Sequence, residues 1–111
     1  MESILKVDFA GFKCYVEFWQ YENGRHAIDL MEVGTGEPVA TATTNLPHWE
    51  LEKDEMFIKN YSENAGILDA LASIGVISQP IAFITTPYVK IPKVKFLLQK
   101  LELCRYNGEM H

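Results

Sequence analysis

The chain of 111 residues and 12.7 kDa has room for one domain with its own core and little more. Its composition, 48% hydrophobic, 23% charged and 12% aromatic, is that of a globular protein and excludes disordered and fibrous classes. A net charge of -5 argues against a general nucleic-acid binder, and no run approaches the about 18 apolar residues of a membrane span.

The charge is unevenly spread: residues 1–69 hold 13 acids and 5 bases, residues 70–111 hold 2 acids and 5 bases. Such asymmetry means either an acidic and a basic surface or two halves that neutralise each other across the fold, and the second is the simpler reading. The first residues show neither the basic start nor the apolar stretch of a secretory signal, so a cytoplasmic location is expected. Of the two cysteines, Cys14 falls on the apolar side of a predicted strand and reads as a core residue. Cys104 has Arg105 beside it, a weak pointer to a lowered thiol pKa.

From Leu5 the chain alternates apolar and polar residues, the mark of a half-buried strand. A two-residue loop at Ala10-Gly11 sets Phe9 opposite Phe12, Asp8 opposite Lys13 and Val7 opposite Cys14. Asn23-Gly24 reads as a type I′ pair, which sets Tyr21 opposite His26, Trp19 opposite Ile28 and Val16 opposite Met31. That register gives one face of Leu5, Val7, Phe9, Phe12, Cys14, Val16, Met31 and Val33. The other face carries Tyr15, Trp19, Tyr21, His26, Ile28 and Leu30. An aromatic-rich second face is either covered by a helix or the C-terminal segment, or serves as a recognition surface or homodimer contact. Asp29, placed opposite Phe18 on the apolar side, is the misfit of this register. A fourth, threonine-rich strand is expected at Val39 to Thr44, which completes a meander.

Four carboxylates, Glu50, Glu52, Asp54 and Glu55, then fall within six residues. They lack the spacing and the glycine of a calcium loop, and read as a solvated acidic connector. After a short strand at Met56 to Lys59, Ser62 is the expected N-cap of a helix of about three turns, with Glu63 favouring its dipole. Ile67, Leu68, Leu71 and Ile74 form its apolar stripe and Gly75 its C′ stop, with Val76 or Ile77 making the accompanying hydrophobic contact. Further strands are expected at Ile81 to Ile84 and from Tyr88 onward, where Pro92 argues for an edge strand or a break. Leu97, Leu98 and Leu101 fit either a strand or a short helix. Lys90, Lys93 and Lys95 make a basic strip that reads first as edge protection and second, with amides after Ser62, as an anion site.

The fold expected from these elements is α+β: a mostly antiparallel sheet of about five to seven strands, in one domain over residues 1–111, with one short helix packed on it. No glycine-rich phosphate loop, His-Glu-x-x-His, Cys-x-x-Cys or nucleophile elbow is present, and His26, His48 and His111 are scattered. No catalytic residue, cofactor or metal is therefore expected.

The run Glu52-Lys53-Asp54-Glu55-Met56-Phe57-Ile58-Lys59-Asn60-Tyr61-Ser62-Glu63-Asn64-Ala65-Gly66-Ile67-Leu68 resembles the centre of a family of small proteins of unassigned activity. These are encoded by phages, plasmids and conjugative elements of gut bacteria. The resemblance extends to Ala40–Pro47 and Tyr88–Pro92, and is most specific at Tyr-Ser-Glu-Asn-x-Gly, where Gly66 is expected to allow close backbone approach. It implies an accessory protein that works by stoichiometric protein binding, for instance as an inhibitor of a host defence system. Tyr15, Trp19, Tyr21, His26, Glu50, Glu52, Asp54 and Glu55 are the contact candidates on that reading. The alternative is a module for a nucleotide-like anion or nucleic acid, centred on Ser62, Lys90, Lys93 and Lys95.

Overall fold

The computed structural model describes residues 5–97. Within them the chain forms β1 (Lys6–Phe9), β2 (Phe12–Gln20), β3 (His26–Glu32), β4 (Pro38–Thr41), β5 (Thr43–Thr44) and β6 (Glu55–Ile58). A 3-10 turn (Ser62–Asn64), α1 (Ile67–Ser73), β7 (Ala82–Thr85) and β8 (Lys90–Lys95) follow. The fold is α+β, with antiparallel pairing throughout and a four-strand meander at its N-terminal end. Among the described residues it has two four-stranded sheets rather than one, ordered β1-β2-β3-β4 and β5-β6-β8-β7. Cys104 and His111, and the expected element at Leu98 and Leu101, lie outside the described residues.

The first hairpin has the expected register, Phe9 opposite Phe12 and Val7 opposite Cys14. The second is shifted by one residue: Gln20 faces His26, Phe18 faces Ile28 and Val16 faces Leu30. The turn explains the shift. Gly24 N–H bonds the Tyr21 carbonyl and Tyr21 N–H bonds the Arg25 carbonyl, closing a three-residue loop over Glu22, Asn23 and Gly24. Only Gly24 takes positive φ (87°), whereas a type I′ turn needs it at Asn23 too. A one-residue slip exchanges the two faces of a strand. Ile28 and Leu30 therefore lie on the inner face with Cys14, Val16 and Phe18, and all five are buried. Met31 moves to the outer face. Asp29, opposite Glu17, is no longer a misfit on the apolar side.

The expected fourth strand divides at Ala42. β4 pairs with β3, β5 pairs with β6, and Ala42 bonds both sheets: its N–H to the Ile28 carbonyl and its carbonyl to Lys59 N–H, each at 2.8 Å. This corner lets one strand close two sheets over a shared core. That core joins Phe9, Cys14, Val16, Phe18, Ile28 and Leu30 to Met56, Ile58, Val94 and Phe96, with Ile67, Leu68 and Leu71 of α1.

The helix is shorter than expected and begins differently. Ser62 makes no cap bond; its 3-10 turn ends at Asn64, and Gly66 at φ 95° restarts the chain as α1. Asn60 caps α1 instead, its Oδ1 accepting from Gly66 N–H at 3.1 Å and Leu68 N–H at 3.0 Å. A Cβ at Gly66 would meet nothing within 4 Å, so the glycine serves its left-handed backbone and not a close approach. The C-terminal end is as expected. Gly75 N–H bonds Ala72 O, Val76 N–H bonds Leu71 O, and Val76 and Leu71 are both buried: a Schellman ending with its hydrophobic contact.

β8 is an interior strand, contrary to the reading of Pro92. Phe96 N–H bonds the Asp54 carbonyl on the β6 side, so by alternation position 92 also faces β6. The β6–β8 ladder stops at Phe57 opposite Lys93, one residue short of the proline. The missing N–H therefore has no ladder bond to lose.

Candidate functional site

The sequence-derived candidates fall on three surfaces. Tyr15, Trp19 and Tyr21 share the outer face of the first sheet, half-buried, with Trp19 and Tyr21 rings edge-on at 4.8 Å. Helix α1, β6 and β8 pack on the opposite face. Tyr21 Oη shares a hydrogen bond with Thr43 Oγ1 at 3.0 Å; burial pushes its phenol up, and the Thr43 bond opposes this. One Asp29 oxygen is enclosed on this face with no hydrogen-bond partner among the described residues.

His26 belongs to the inner face and not to that aromatic set. Its ring lies 4.6 Å from that of Phe96 and lines a cleft of about 330 Å³ together with Arg25, Glu52, Lys53 and Glu55. The elements that form this cleft are tied together by Arg25, which donates to the Leu46 and Trp49 carbonyls at 2.8 and 2.6 Å. Those bonds dock the β2–β3 turn on the segment that leads into the acidic connector. Nothing in the local sequence pattern marks Arg25 for this, because its acceptors are main-chain atoms more than 20 residues away.

The acidic connector divides by burial. Glu50, Glu52 and Asp54 are exposed, while Glu55 is buried, accepts Glu52 N–H at 2.9 Å and pairs with Lys93 at 3.6 Å. Asp54 pairs with Lys95 at 3.2 Å. Two lysines of the basic strip thus neutralise two acids of the connector across the β6–β8 ladder, as the uneven charge along the chain permits. Lys90 lies on the other face of β8, its ammonium 5.4 Å from the centre of the Phe83 ring. The cleft beside His26 is not lined by Ser62, Lys90, Lys93 or Lys95. The amides expected to receive an anion are taken in part by Asn60.

Burial first, then the Glu32 and Asp8 carboxylates, push the Cys14 thiol up, the reverse of what an activated nucleophile needs. No cluster of three or more His, Cys, Asp and Glu suited to a metal ion occurs among the described residues.

Burial holds His26 below its ordinary value of 6.5, against the opposing effects of its bond to the Lys53 main chain and of Asp54. A histidine kept neutral in the fold and free to protonate when unfolded makes stability full above about pH 6.5 and falling below it. Urea midpoints measured from pH 7.5 to 5.5 are therefore expected to drop, with a shallower drop in His26→Gln. Equal slopes in the two proteins would remove His26 from the pH dependence.

The feature that sequence reasoning missed is the edge of the second sheet, which among the described residues has no strand beyond it. β7 is its outermost strand, and the segment Ile81 to Val89 contains no charged residue. Ile81 is 48% exposed, Phe83 52% and Tyr88 92%. Lysines were expected to protect a β8 edge; β8 is interior, and the edge strand itself is uncharged. Comparison of the chain with protein families, curated proteins and solved structures finds no match.

Proposed function

We propose that the protein works by non-catalytic binding of another protein, and that the β7–β8 hairpin carries the main contact. The observation behind this reading is the group of exposed apolar side chains, Ile81, Phe83 and Tyr88, beside an uncharged sheet edge that no other strand pairs among the described residues. Aromatic side chains supply much of the energy of protein interfaces, and an open edge offers main-chain bonds to an added strand. Glu50 and Glu52, exposed and outside the two ion pairs with lysine, are the acidic contribution. The resemblance to mobile-element proteins favours a bacterial cytoplasmic setting, with a host defence component as the partner.

The test is capture from bacterial lysate by the tagged protein, with mass spectrometry, comparing wild type with Phe83→Asp and with the double variant Glu50→Lys, Glu52→Lys. One partner in near-stoichiometric yield, reduced at least tenfold by Phe83→Asp, is expected. Capture that ignores Phe83→Asp but falls with the charge reversals would move the contact to the connector. No stoichiometric partner at all would overturn the reading.

A further inference from the structure

At the corner where the chain leaves one sheet for the other lies a groove of about 410 Å³, on the β5 side of the second sheet and so away from β7. Two carboxamides on its wall have their orientation fixed by hydrogen bonds. Asn64 is 2% exposed, and its Nδ2 donates to the Thr41 carbonyl at 2.8 Å. A carbonyl only accepts, so the amide can be assigned one way. Its Oδ1 accepts no bond from the described residues and is left as an acceptor on the groove wall.

Asn45 is fixed through a relay. Arg25 N–H donates to Asn23 Oδ1 at 3.2 Å, which makes the other end of Asn23 the donor. Asn23 Nδ2 then donates to Asn45 Oδ1, also at 3.2 Å, and Asn45 Nδ2 remains as a donor. At the same groove Lys59 and Glu63 neutralise each other at 2.9 Å, so the lining has no net charge to offer an ion.

We infer that this groove binds a small uncharged ligand that donates a hydrogen bond to Asn64 Oδ1 and accepts one from Asn45 Nδ2. A nine-tenths-buried acceptor with no protein donor gains more from a ligand's donor than an exposed one does. A charged ligand has to compete with the Lys59–Glu63 pair. Sugar hydroxyls and carboxamides both supply the required donor and acceptor.

The experiment is a ¹⁵N NMR titration of the whole chain with glucose, with acetamide and with inorganic phosphate, following the Asn45 and Asn64 side-chain amides. Saturable shifts of both amides are expected with glucose or acetamide and not with phosphate; the probe that acts identifies the ligand class. Asn45→Asp keeps an oxygen for Asn23 and loses the donor, so the fold is preserved while affinity for the active probe falls at least fivefold. The inference is overturned by shifts with neither neutral probe, by equal shifts with phosphate, or by unchanged affinity in Asn45→Asp.

Discussion

Leu30→Ala is expected to lower the free energy of unfolding by about 2–5 kcal/mol, and Met31→Ala by about 1 kcal/mol or less. Leu30 is fully buried between the sheets, among Val16, Ile58 and the helix residues of the same cluster. Its truncation loses transfer free energy and leaves a cavity that a two-sheet core cannot easily collapse. Met31 sits next to it in the chain but on the outer face, half-buried opposite Tyr15. The pair reads the register directly, because a type I′ turn at Asn23-Gly24 would exchange the two positions. Urea denaturation of both variants decides it, and a larger loss for Met31→Ala than for Leu30→Ala would sink the three-residue turn.

The two ion pairs across β6 and β8 are expected to differ in the same way. Glu55 is 8% exposed at its side chain and Lys93 26%, while Asp54 and Lys95 are 54% and 43% exposed. Lys93→Met leaves a buried carboxylate whose remaining hydrogen bond comes from Glu52 N–H, at an expected cost of about 2 kcal/mol. That is less than for a fully enclosed pair, because part of the lysine is already in water. Lys95→Met removes an exposed partner and is expected to cost about 0–1 kcal/mol. Equal costs for the two variants, measured by chemical denaturation, would mean that the Glu55 carboxylate is resolvated once Lys93 is gone.

These contrasts mark where local pattern was enough and where it was not. Alternation from Leu5, the Ala10-Gly11 turn and the stripe Ile67, Leu68, Leu71 were legible because they depend on neighbours within a few residues. The stop at Gly75 was legible for the same reason: a left-handed glycine after an apolar stripe satisfies the last carbonyls of its own helix. The Asn23-Gly24 turn was legible as a turn but not in length. Two- and three-residue loops share the same residues there, and packing of Ile28 and Leu30 against the second sheet selects between them. Asn60 was missed as a cap because it reaches Leu68 across an intervening 3-10 turn, and simple cap spacing assigns that role to Ser62.

The sequence by itself determined the fold class, the first hairpin, the apolar faces of β1 and β2 and the end of the helix, because each rests on short-range geometry. Tertiary structure alone decided the division into two sheets at Ala42, the interior place of Pro92 and the pairing of Glu55 with Lys93. It also decided which strand was left as an uncharged edge and which amides came to face one groove. Each of these depends on main-chain and side-chain partners brought together from distant parts of the chain, so no local residue pattern carries them.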